Sequence, residues 1–121
     1  MKSDFSGHDN RHHDNVYAFV SGGCLGVGSF LPGHEDEFSR NKCVLQGDPA
    51  SYAGFDCNSP SLPVMFNNTV MTPKGGPMSQ CGKDFKAWQS LGHDEGTTVQ
   101  AWPEKWDGAE VLAWARGTLF L

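Results

Sequence analysis

Short bursts of alternating polar and apolar residues recur along this chain, and their recurrence is more informative than any one of them. Three segments share the pattern: His13-Asp14-Asn15-Val16-Tyr17, Ser39-Arg40-Asn41-Lys42-Cys43 and Phe66-Asn67-Asn68-Thr69-Val70. Their central asparagines lie 26 and 27 residues apart. Each is followed by a β-prone stretch (Val16–Val20, Lys42–Leu45, Thr69–Thr72) and then by a loop rich in Gly, Pro or Ser. A period of that length, strand first and loop after, predicts a repeat architecture, because one such unit cannot bury its own inner face and must stack on its neighbours. The fold expected is all-β: a parallel solenoid of about three coils.

Stacked parallel coils place equivalent residues about 4.8 Å apart. Asn15, Asn41 and Asn68 then form a ladder, each in the left-handed backbone region at a tight bend, with its carboxamide bonded to the next. If the ladder points inward, so do the columns two and four residues later, Tyr17/Cys43/Val70 and Phe19/Leu45/Thr72. The flanking columns Asp14/Arg40/Asn67 and Val16/Lys42/Thr69 are mostly polar and face out. Extending the inward register backwards gives Leu62, Val64 and Phe66 in the third coil, but it sets Glu37 beneath Val64 in the second.

The character changes after Met71-Thr72-Pro73-Lys74-Gly75-Gly76-Pro77, where Pro and Gly end the strand pattern. Asp84 to Gly92 reads as a two-turn helix, with Asp84 as N-cap, Phe85, Trp88 and Leu91 on one face, and Gly92 as the stop. A second helix is expected from Asp107 or Gly108 to about Arg116, ended by Gly117, with an apolar run from Thr118 to Leu121. The segment from Gly47-Asp48-Pro49-Ala50 to Asn58 reads as turns. The division expected is β-helical coils over 1–82 and a helical capping segment of the same domain over 83–121. Trp88, Trp102, Trp106 and Trp114 would cover the C-terminal end of the stack. Nothing amphipathic precedes the first coil, so a fragment lacking earlier coils is expected.

Composition agrees. In 121 residues there are 15 Gly and 7 Pro against 38% apolar residues, a loop-rich β profile. Net charge is −5, and the 9 basic residues are scattered, which excludes nucleic acid and anionic membrane as partners. No apolar stretch reaches the roughly 18 residues of a membrane span, and Met1–Gly7 carries no signal-peptide core. Cys24, Cys43, Cys57 and Cys81 are too widely spaced for a zinc motif. They are read either as two disulfides or as buried free thiols.

The run from Phe85 to Thr97 resembles a segment near the end of many right-handed parallel β-helix proteins. There, a Trp-Gln helix is followed by Gly, Asp and a small hydroxyl residue; Trp88, Gln89, Gly92, Asp94 and Thr97 match. Phe66-Asn67-Asn68-Thr69-Val70 resembles the Asn-Thr-Val coil of the same pectate-lyase-like superfamily, whereas Asn41 is followed by Lys42-Cys43 and departs from it. Together these cover about half the chain. The resemblance implies the C-terminal portion of an extracellular, carbohydrate-active β-helix, in a superfamily where many members have no known activity. Lyases of this kind use a basic residue to abstract a proton beside a uronate carboxyl, often with calcium neutralising that carboxylate. On the outward face this selects Arg40 and Lys42, with Asp14 beside them, as ligand-binding candidates; no catalytic residue is assigned.

Other chemistry is less well specified. Glu35-Asp36-Glu37, with Asp9 one period before Glu35, offers carboxylate oxygens to calcium but matches no defined calcium loop. His8, His12, His13, His34 and His93 raise zinc, yet His12 and His13 are adjacent and face opposite ways in a strand. No metal site is assigned. Asp14, Glu35 and Asp36 could supply a glycosidase carboxylate pair, and nothing selects one. Asn67-Asn68-Thr69 has the form of a glycosylation acceptor. The function expected is carbohydrate binding or polysaccharide processing, with polysaccharide as partner; the alternative is a non-catalytic structural or adhesive solenoid. A compact domain in which the Asn spacing is accidental is the third possibility, and a strand map decides it.

Overall fold

The computed structural model describes residues 2–3, 8–28, 30–47, 49–104 and 106–119. Asp48, most of the opening segment and the last two residues therefore lie outside it. After β1 (Lys2–Ser3), the chain runs through β2 (Arg11–His13), β3 (Val16–Val20) and β4 (Leu25–Val27), then β5 (Glu37–Ser39), β6 (Lys42–Leu45) and β7 (Ala53–Gly54). A third turn carries β8 (Val64–Phe66) and β9 (Thr69–Thr72). The tail contains β10 (Ser79–Gln80), β11 (Lys83–Asp84), α1 (Phe85–Ser90), β12 (Thr98–Ala101) and α2 (Gly108–Leu119). Strands one turn apart pair in parallel, in the orders β1-β4-β7, β2-β5-β8 and β3-β6-β9-β12. This is a parallel β-solenoid of about three turns, and the reading of an accidental Asn spacing falls.

The registers follow the repeat: Val16 pairs with Lys42 and Lys42 with Thr69. Each bend is made by the residue before the ladder Asn. Asp14, Arg40 and Asn67 have φ of 57°, 51° and 55°, so the left-handed conformation expected at the asparagines sits one position earlier. Gly96, φ 75°, fills the same place in the tail, where a Cβ would collide with the Asn67 side chain.

That bend resets the alternation. Phe38 and Met65 point inward and are buried, whereas Val64 is 49% exposed. The expected inward set Leu62, Val64 and Phe66 is therefore out of phase by one, and Glu37, aligned with Val64, is no misfit because that face looks outward. A bulge in β3 makes a second phase change: Val20 aligns with Leu45, while Phe19, φ 56°, leaves the inward column and meets Trp102 edge-on at 5.7 Å. The core that results contains Cys24, Leu25, Phe38, Cys43, Leu45, Tyr52, Met65, Val70 and Trp88. Each large apolar side chain fully buried there contributes about 1.5–3 kcal/mol.

The tail does more than cap. β12 pairs with β9 from Thr98↔Thr69 to Ala101↔Thr72 and so adds a fourth rung to one sheet, at a stretch where no strand is expected from the sequence. The short strands β4 and β7 form a third sheet wall inside segments read as loops. α1 begins as expected, with Asp84 Oδ1 accepting from Ala87 N at 2.8 Å, and buries Phe85 and Trp88, but Leu91 is 59% exposed. α2 runs through Gly117 to Leu119 instead of stopping there. It buries Val111 and Ala115.

Candidate functional site

Alternation along β2, β5 and β8 sends His12, Phe38 and Met65 inward, leaving Arg11, Glu37 and Val64 as one aligned row on the outer face. This row floors a cleft of about 200 Å³ walled by Asp9 and Glu35. A second cleft of about 400 Å³ shares Glu35 and Val64 and continues past Pro60, Leu62 and Pro63 to His93. The His93 ring is held flat against Trp88, with centroids 4.0 Å apart. Together the clefts make a groove that crosses all three coils, with carboxylates and a guanidinium at one end and apolar and imidazole surface at the other.

The three ligand-binding candidates do not share this groove. Asp14 and Arg40 are brought together at the bend, with Arg40 Nε 3.4 Å from Asp14 Oδ1, and His13 Nδ1 lies 2.6 Å from Asp14 Oδ2. The His13 hydrogen bond first, and Arg40 after it, hold the Asp14 carboxyl below its ordinary range. Lys42 does face outward from its coil, but α2 lies over it and it is only 4% exposed. Its Nζ donates to the Trp114 carbonyl at 3.0 Å and sits 3.8 Å above the Trp114 ring. Val44 and Met71, on the same outer face, are buried as well. Burial lowers the Lys42 pKa, the direction a proton-abstracting base requires, but Lys42 lines neither cleft of the groove.

The carboxylates proposed for calcium point to different partners. Asp36 is buried and accepts from the Asn10 backbone N at 2.9 Å and from Asn10 Nδ2 at 3.1 Å, a second ladder that the sequence reading missed. Glu37 accepts from Ser39 Oγ at 2.9 Å. Asp9 is taken by His8 and His34, whose hydrogen bonds, His8 first, lower its pKa. His8 and His34 are one period apart, so the repeat itself was the signal that could have paired them. As expected, His12 and His13 diverge: His13 reaches Asp14, while His12 Nε2 is buried without a partner. Asn67 is exposed and Asn68 is 1% exposed.

The Asn ladder forms as read. Asn15 N and Nδ2 donate to Asn41 Oδ1 at 3.0 and 3.2 Å, and Asn41 N donates to Asn68 Oδ1 at 2.9 Å. Thr97 is its fourth member, accepting from Asn68 N at 3.1 Å and donating to Asp94 Oδ1 at 2.9 Å. Asp94, fully buried, also accepts from Trp88 Nε1 at 3.0 Å and Tyr52 OH at 3.2 Å. Gln89 Nε2 donates to the carbonyls of Asp94 and Thr97 at 2.9 and 2.8 Å. The residues that carry the resemblance thus close the ladder. The chain matches no family model, no curated protein and no solved structure.

Proposed function

We propose that this chain is part of a right-handed, pectate-lyase-like β-helix that binds polysaccharide along the outer face of sheet β2-β5-β8 without cleaving it. The observation that carries this reading is the groove from Asp9 and Arg11 to His93. Carboxylates and a guanidinium are hydrogen-bonding partners for sugar hydroxyls, and the Val64, Pro63 and His93 surfaces suit the apolar faces of a sugar ring. Asp9, Glu35 and Glu37 outnumber Arg11, and the chain carries −5 overall, so a neutral glycan is favoured over a polyuronate. Binding without cleavage is supported by the positions of the two candidate bases: Lys42 lies under α2 and Arg40 is paired with Asp14. The Cys57–Cys81 disulfide supports an extracellular location.

The alternative, a purely structural or adhesive solenoid, is favoured by one observation. Trp88, Gln89, Asp94 and Thr97 are all spent on internal hydrogen bonds, so the resemblance they carry speaks for fold alone. Calorimetric titration against panels of neutral and acidic polysaccharides separates the two readings. Saturable binding to a neutral glycan, weakened by Arg11→Ala and Glu37→Ala and without product release, is the expected result. Silence across the panel supports the structural reading, and release of unsaturated sugars overturns both.

A further inference from the structure

We propose that His8, Asp9 and His34 form a binding site for a divalent transition-metal ion of the zinc type. The site is assembled by the solenoid repeat: His8 and Asp9 come from the first coil and His34 from the second. Asp9 has φ 56°, and its N–H donates to the His34 carbonyl at 3.1 Å, so the backbone itself sets the carboxylate between the two rings. His8 Nδ1 and His34 Nδ1 lie 2.9 and 2.7 Å from the same oxygen, Asp9 Oδ2. The ring centroids are 5.1 Å apart at 60°. Among the described residues this is the one group of three His, Cys, Asp or Glu whose ligand atoms all lie within 4.8 Å.

Two imidazole nitrogens converging on one carboxylate oxygen need an electropositive atom between each of them and that oxygen. Two N–H protons supply it in one state, and a single dication supplies it in the other. In a tetrahedral zinc site the His nitrogens sit about 2.0–2.1 Å from the ion, which spaces the ligand atoms about 3.3 Å apart. The present distances need to open by only about half an ångström to reach that spacing. The three side chains are 46%, 55% and 51% exposed, so rotation of the rings and entry of the ion disturb no core packing. Two nitrogens and one carboxylate suit zinc, nickel or copper. They do not suit calcium, which takes six to eight oxygens. Three protein ligands leave one tetrahedral position open for water or an external donor. The site shares Asp9 with the proposed glycan groove but does not rest on the polysaccharide reading.

The test is calorimetric titration of the full chain with Zn²⁺ in a non-chelating buffer, with Ca²⁺ as control. One Zn²⁺ per chain is expected, with no saturable Ca²⁺ heat. His8→Ala and His34→Ala should each weaken binding by about tenfold or more, while His13→Ala and His93→Ala leave it unchanged. Circular dichroism establishes that the variants fold. Histidine ¹⁵N spectra of the unaltered protein give a second readout that needs no variant: Zn²⁺ should shift the His8 and His34 ring nitrogens alone. Absent or non-stoichiometric binding overturns the proposal, as does loss through His13→Ala in place of His34→Ala, or ring shifts confined to other histidines.

Discussion

At the scale of single residues, Asp94 is a fully buried carboxyl that takes three side-chain hydrogen bonds. Burial pushes its carboxyl above the ordinary 3.8, against the opposing hydrogen bonds from Trp88, Thr97 and Tyr52. Asp94→Asn turns one acceptor into a donor that faces donors, and should cost about 2–4 kcal/mol in urea unfolding. The sign of its pH dependence is the reverse of that of a salt-bridged carboxylate. With the folded pKa above the unfolded one, Asp94 contributes fully below pH 3.8 and loses that contribution as pH rises through the folded value. The gap between the unaltered protein and Asp94→Asn should therefore be widest in acid and narrow towards neutrality, as urea unfolding at a series of pH values will show. The spacing of Trp88, Gln89, Asp94 and Thr97 was visible in the sequence. The Tyr52 hydroxyl that donates to Asp94 was not, because the contact spans 42 residues and exists only once the coils close.

At the scale of elements, α2 covers Lys42 on the outer face of its sheet. Its contact with Lys42 combines a charged donor on a carbonyl with a cation over an indole ring. Lys42→Ala should weaken the attachment of α2 by about 1–2 kcal/mol, read as red-shifted tryptophan emission at urea concentrations that leave the β circular-dichroism signal intact. Elements of four or five residues with an Asn before them, such as β3, β6 and β9, could be found by their period. The two- and three-residue strands β4 and β7 could not, since alternation has no meaning over so short a run. Nor could the left-handed Asp14, Arg40 and Asn67, each of which shifts the phase of its strand. Gly117 failed as a stop signal because α2 continues through it to Leu119.

At the scale of the molecule, the period fixed the stacking direction and the ladder, while the closing contacts came from residues with no periodic signature. The disulfide is one such contact: Cys57 and Cys81, 24 residues apart, tie the segment after β7 to the β10–β11 turn. Cys24 and Cys43 stay as buried thiols, so both cysteine readings hold in part. Reduction should lower stability by about 3 kcal/mol through the longer loop freed in the unfolded chain, measured as the shift in urea midpoint with and without reductant. Under the same conditions Cys24 and Cys43 should resist alkylation until the protein unfolds, because both are buried and burial raises the Cys43 thiol.

The ladder has a direction. Asn41 accepts from Asn15 N and donates its Nδ2 to the His12 carbonyl, and Asn68 does the same to Asn41 N and the Phe38 carbonyl, so these two carboxamides each grip the coil before their own. Every coil is thus latched by its successor, and the last latch is Thr97, itself held by Asp94. Opening at the C-terminal side frees the backbone N–H and the carbonyl that the departing carboxamide held and leaves the earlier latches shut. Opening at the other side strands a carboxamide with both partners gone. The stack is a one-way zipper whose slider sits at Asp94, so loss of order should travel from the tail towards the first coil, one rung at a time.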